Sequence, residues 1–190
     1  DKTALNQVFD LIERSSWGVP AEMIRKAGSL TVVLRPKEDH LLLLRCLPRW
    51  GDHKHLAVNL DMQWVPQLDL FYEFTEIPRP RTPELTMYTI ELSTLLRGFK
   101  LNALFQPGFA FGISSDATRA RTANFIRVAV EEHVVPFVRD WDSVAVHEEA
   151  RYDDLLSRMR FGRCRCQILH FCALLAKGRP AQAQSLFESL

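Results

Sequence analysis

The residues with the most chemical capacity fall into a few short clusters. His53 and His55 flank Lys54 in Asp52-His53-Lys54-His55, and alternate residues of a strand share one face, as two zinc ligands can. Lys54 places a competing cation there, and no further His or Cys pair lies close in sequence. Cys164, Cys166, His170 and Cys172 form the second cluster. Cys166 and His170 are four apart and share a helix face, whereas Cys172 points roughly the other way. Zinc knuckles use Cys-x-x-Cys spacing, which is absent, so these read as small apolar residues of a buried helix. His147-Glu148-Glu149 begins like the metalloprotease motif His-Glu-x-x-His, but Arg151 holds the second histidine position. Glu131-Glu132-His133 fails in the same way. The 8 glycines are dispersed and form no phosphate loop, and Ser114-Ser115 lacks a nucleophile-elbow context. No catalytic residue, metal ligand or cofactor site is expected.

Charge gives the strongest candidate. Asp140, Asp142, Glu148, Glu149, Asp153 and Asp154 stand against Arg151 alone, a local charge of −5. From Arg158 to Arg179 there are six bases and no acid, a local +6. Acids at helix starts and bases at helix ends account for Glu148, Glu149 and Arg158. They do not account for Arg160, Arg163 and Arg165, which flank a glycine ahead of the next helix, where positive charge is unfavourable. These two blocks are the expected contact surface for a protein partner.

The elements that must position these groups are those of an ordinary globular chain. Lys+Arg number 24 and Asp+Glu 23, with 47% hydrophobic residues, which excludes a disordered, collagenous or disulfide-framework chain. A net charge of +1 excludes a general nucleic-acid binder. No uncharged run is long enough to cross a bilayer. The 4 cysteines, three of them within nine residues, read as reduced, so a cytoplasmic location is expected. The chain opens Asp1-Lys2-Thr3, without Met and without an apolar leader, and is read as a trimmed or processed product.

Leu5, Val8, Phe9 and Ile12 predict a helix over 3–14. Residues 21–27 fit either a short helix or a first strand. Leu30–Arg35 and Leu41–Leu47, joined by Pro36-Lys37-Glu38-Asp39, predict a hairpin. Leu56, Val58, Leu60 and Met62 alternate with Ala57, Asn59 and Asp61, which predicts a third strand with one face buried and the other wet or lightly covered. One or two helical turns follow over 66–77, and three prolines make 78–83 an extended crossover. Tyr88, Ile90 and Leu92 alternate, Arg97-Gly98 reads as a turn, and Phe99, Leu101, Ala103 and Phe105 alternate again. Ser114-Ser115-Asp116 caps a helix to about Arg139, kinked or shortened by Pro136. Asp142-Ser143 caps the next, through Met159. Cys164–Lys177 is closed by Gly178, and Pro180 opens the last helix. The expected fold is one α+β domain: a five- to six-stranded antiparallel meander with an N-terminal helix (1–115), then about four helices (116–190). Leu56, Val58, Leu60, Tyr88, Ile90 and Leu92 should face the helix 116–139.

This order of pieces resembles bacterial α+β domains of the immunity-protein type from polymorphic toxin systems. The matching features are the amphipathic helix Leu5–Glu13, the antiparallel strands, the long helix ending Arg139-Asp140-Trp141 and the terminal Leu174–Arg179 hairpin. The resemblance lies in layout and carries over no functional residue. It implies a stoichiometric, cytoplasmic binding protein that neutralises a cognate toxin by direct contact, with a local surface deciding the fit. Two other classes stand beside it. One is a subunit or adaptor using the helical hairpin or the Pro-rich segment. The other is an enzyme with a cleft lined by residues such as His133, Tyr88 or Arg97. A deep pocket with convergent polar groups favours the enzyme, and a face with exposed aromatics favours the binder.

Overall fold

The computed structural model describes residues 2–49, 52–99, 111–160 and 163–189, with the backbone alone for Lys2, Asp52, His53, Arg163 and Cys164. Helix α1 (Lys2–Glu13) buries Leu5, Val8, Phe9 and Ile12, the stripe that its 3.6-residue spacing dictates. Four strands follow: β1 (Ala21–Lys26), β2 (Ser29–Lys37), β3 (His40–Arg49) and β4 (Asp52–Trp64). The ambiguous 21–27 segment is thus a strand, antiparallel to β2. Gly28 turns between them at φ 78°, a region that a side chain disfavours. Helix α2 (Val65–Thr75) leads into the extended 78–83 crossover, and β5 (Tyr88–Glu91) pairs with β4. Every strand lies beside its sequence neighbour, in the order β1-β2-β3-β4-β5, a five-stranded antiparallel meander.

One sheet face carries Leu30, Val32, Leu34, Leu42, Leu44, Val58, Leu60 and Met62 into the main core, beneath α1 and the later helices. Leu56, Val58, Leu60, Tyr88, Ile90 and Leu92 are all buried in that core, together with Ile126, Val130, Val134 and Val138 of the helical segment over it. The other face is lightly covered. Val33, Leu41 and Leu43 form a small second cluster under Leu85. Asp61, on the same face, is 0% exposed. Its carboxylate accepts from Gln63 Nε2 (2.6 Å), the Thr86 and Met87 amides (2.7 and 3.0 Å) and Thr89 Oγ1 (2.9 Å), tying the end of the crossover to β4.

Three expectations change. Leu92 opens helix α3 (Leu92–Gly98) instead of extending the strand, and Arg97-Gly98 is helical, not a turn. Leu92, Leu95 and Leu96, at helical spacing, are all buried, and this outweighs the two-residue alternation read through position 92. The strand expected over 99–105 falls almost wholly outside the described residues. The long helix is α4 (Asp116–Ala129), a π-helical turn (Val130–Val134) and α5 (Val135–Arg139). The Val135 amide reaches the carbonyl of Val130, five residues back. This wide turn precedes Pro136, which has no amide to give and whose ring crowds a carbonyl four residues back, so the helix bulges ahead of it and continues. The helix expected from Ser143 to Met159 divides into α6 (Ser143–Glu148), a 3₁₀ turn (Ala150–Tyr152) and α7 (Asp153–Arg158). Helices α8 (Arg163–Ala176) and α9 (Pro180–Glu188) form the terminal hairpin as expected. Among the described residues, no helix is long and apolar enough to cross a membrane.

Candidate functional site

The acidic and basic segments meet each other in the fold. Asp142 caps α6, accepting from the Val144 and Ala145 amides at 2.9 and 3.3 Å, and pairs with Lys177 at 3.2 Å. These amides and Lys177 hold its carboxyl below the usual range against the cost of partial burial. Glu148 pairs with Arg179 at 3.4 Å, so two ion pairs tie α6 to the α8–α9 hairpin around the cluster of Val144, Ala173, Leu174 and Ala183. Glu149 pairs with Arg151 and Asp154 with Arg158. Arg165 donates to the Thr86 carbonyl and lies over the Phe71 ring at 5.4 Å, a packing role between α8, α2 and the segment ahead of β5. Asp140, Asp153 and Arg160 are exposed and carry no ion pair among the described residues. The Arg163 side chain lies outside the described residues, as do the side chains of Cys164 and His53.

Two clusters read separately in the sequence come together. His147, on α6, receives Cys166 Sγ of α8 at Nδ1 (3.6 Å) and places Nε2 3.1 Å from the Tyr88 hydroxyl. A neutral ring protonated at Nε2 serves both contacts: the thiol donates to Nδ1, and Nε2–H donates to the hydroxyl oxygen. Gln67 Nε2 donates to the same oxygen at 2.7 Å. The His170 ring stacks on His147 with centroids 4.7 Å apart, and its Nε2 stands 3.7 Å from Glu148 Oε1. Spacing could not show this, because the partners lie on different elements. Gln67 carried no signal beyond its hydrophobic neighbours, and Tyr88 was read as a buried strand residue and a candidate cleft residue, without His147 as its partner.

The chemistry of this group is that of a neutral pair. Burial, with His170 adding a like charge, pushes the His147 imidazole down to about 3. Burial lowers His170 as well, against the pull of Glu148. Burial also raises the Cys166 thiol. A cysteine nucleophile needs the opposite, a thiolate beside an imidazolium. Among the described residues, no three His, Cys, Asp or Glu side chains are grouped to hold a metal ion. The contacts of His147 with Cys166, His170 and Tyr88 join α6, α8 and β5.

The feature that sequence reading missed is apolar. Phe74, at the end of α2, meets Phe171 of α8 edge-on with centroids 5.1 Å apart, and Phe171 meets Phe187 of α9 at 6.3 Å. With Leu175, Pro180 and Ala183 they line a shallow groove of about 370 Å³ whose open surface is apolar. Phe74 is 52% and Phe187 67% exposed. Helical spacing assigns Phe187 to a buried stripe with Ala183 and Leu186, and only the position of α9 at the margin of the molecule uncovers it. Comparison with protein-family models, with curated proteins and with solved structures finds no match, so these side chains alone carry the functional reading.

Proposed function

We propose that the chain is a stoichiometric protein-binding module whose contact face is the aromatic groove of α2, α8 and α9. The observation that carries this reading is the run Phe74–Phe171–Phe187, continuous across three elements and half or more open at both ends. Aromatic side chains that pack edge-to-face and stay uncovered are the usual anchors of a protein interface. Gln184, which lines the groove beside Ala183, supplies a polar group at its edge. The layout resemblance narrows the reading further, to an immunity protein that blocks a cognate bacterial toxin. The near-neutral total charge fits a partner held by local shape and apolar contact instead of bulk attraction. Phe187→Arg and Phe74→Ala test it. Each should leave the melting temperature unchanged and weaken a partner captured by the parent chain by more than about tenfold. The capture uses the product of the neighbouring open reading frame, with rescue of cell growth as the second readout. Full binding by both variants would place the interface elsewhere, and binding without growth rescue would remove the toxin reading and keep the module.

A further inference from the structure

On the opposite side of the sheet, the Pro78–Pro83 crossover stands away from the strands and leaves a cleft of about 290 Å³. Its floor is apolar: Leu41 of β3 with Val65 and Leu68 of α2. The Gln63 amide beside them is fixed by Asp61 and the Glu84 carbonyl, so that wall is rigid. Three arginines line the same cleft: Arg35 from β2, and Arg79 and Arg81 from the crossover. Arg79 is committed, ion-paired to Asp69 and lying over the Tyr72 ring at 5.9 Å. Arg35 and Arg81 make no side-chain ion pair or hydrogen bond among the described residues. Glu84 is the one carboxylate among the lining residues, and Asp69 outside them offsets Arg79. Prolines 78, 80 and 83 fix φ at three positions of the crossover, so the backbone that carries Arg79 and Arg81 has less freedom to lose on binding.

We propose that this cleft binds an organic oxyanion, a phosphate or a carboxylate, carried on a compact apolar body such as a single ring. The oxyanion lies against Arg35 and Arg81, whose forked donors match either group bidentately. The body covers Leu41, Val65 and Leu68. The volume falls just below the range for small-molecule sites, roughly 300–1,000 Å³, and admits one ring, not a dinucleotide. This site is separate from the aromatic groove, and its occupancy does not depend on a protein partner.

Calorimetry on the whole chain at low ionic strength, with phenyl phosphate, benzoate and inorganic phosphate as probes, tests the assignment. Phenyl phosphate should bind about tenfold more tightly than inorganic phosphate, the contribution of one buried ring face. The stronger of phenyl phosphate and benzoate identifies the natural oxyanion, and either order supports the cleft. Arg81→Ala and Arg35→Ala, both at exposed side chains, should each weaken the better probe by about tenfold or more without moving the melting temperature. Arg81→Lys, which keeps the charge and loses the fork, should fall between. Glu84→Gln should tighten binding. Equal affinity for inorganic phosphate and phenyl phosphate would overturn the ring assignment. Binding unchanged in Arg81→Ala and Arg35→Ala, or no heat from any probe up to about 10 mM, would overturn the site.

Discussion

His147 is held neutral by its surroundings: a thiol on one ring nitrogen, a buried hydroxyl on the other and a second imidazole stacked on its face. Its ordinary value near 6.5 falls to about 3 in the fold. Between these two values the unfolded chain binds a proton that the native chain refuses, so stability is full above about pH 6.5 and is lost as pH falls toward 3. The slope reaches up to about 1.4 kcal/mol per pH unit. Urea midpoints at pH 7, 5.5 and 4.5 should therefore decline, and His147→Gln should flatten the decline over that window. An identical slope in the variant would show that the acid sensitivity arises elsewhere. The carboxylates of Asp39 and Asp142, lowered in the fold, act around and below their ordinary value of 3.8, whereas burial raises Asp61, which favours the fold as pH falls and opposes the decline, so the difference between the parent chain and His147→Gln isolates the imidazole.

The hairpin of α8 and α9 turns on Gly178, at φ 70°. The Gly178 amide donates to Leu175 and the Arg179 amide to Leu174, which closes α8 with paired backbone bonds. Gly178→Ala forces a side chain into that left-handed position and should cost about 1 kcal/mol, read as a lower urea midpoint with an unchanged slope. This end was legible because glycine after an apolar helix has one local meaning, and so was the N-cap cluster Ser114-Ser115-Asp116, in which the structure adds the reciprocal Ser115–Thr118 bonds. The bulge before Pro136 was not, because a proline states that a helix must yield without stating how. Position 92 misled for a related reason: Leu92 fits both the two-residue period behind it and the helical period ahead, and packing of Leu95 and Leu96 decided between them. Of the candidate site, the charges were legible as composition, but their mutual pairing depends on α6 lying across the terminal hairpin, which no local pattern encodes. The aromatic groove was hidden for the same reason, since exposure belongs to the assembled fold.

Across the whole molecule, the opposite charge blocks bind the helical half to itself. Asp142–Lys177 and Glu148–Arg179 are half-exposed pairs, each contributing about 0–1 kcal/mol. Reversing Asp142 and Glu148 to Lys should lower stability by about 1–2 kcal/mol, including the lost cap, and the loss should shrink in high salt. Reversing Asp140 and Asp153 to Lys and Arg160 to Glu should leave the melting temperature within the range of ordinary surface changes. If the second set destabilises as much as the first, the ion pairs are not what holds α6 to the hairpin. The sheet order β1-β2-β3-β4-β5 has a consequence in time. Each of the first four strands finds its partner within a short, quickly closed loop, so the meander is able to form while the chain is still being made. Its apolar inner face then has α1, α2 and α3 against it, but not Ile126, Val130, Val134 and Val138, until the residues from Asp116 onward emerge. The nascent chain therefore passes through a stage with a finished sheet and half a roof, and during that interval it is most exposed to association with its own copies.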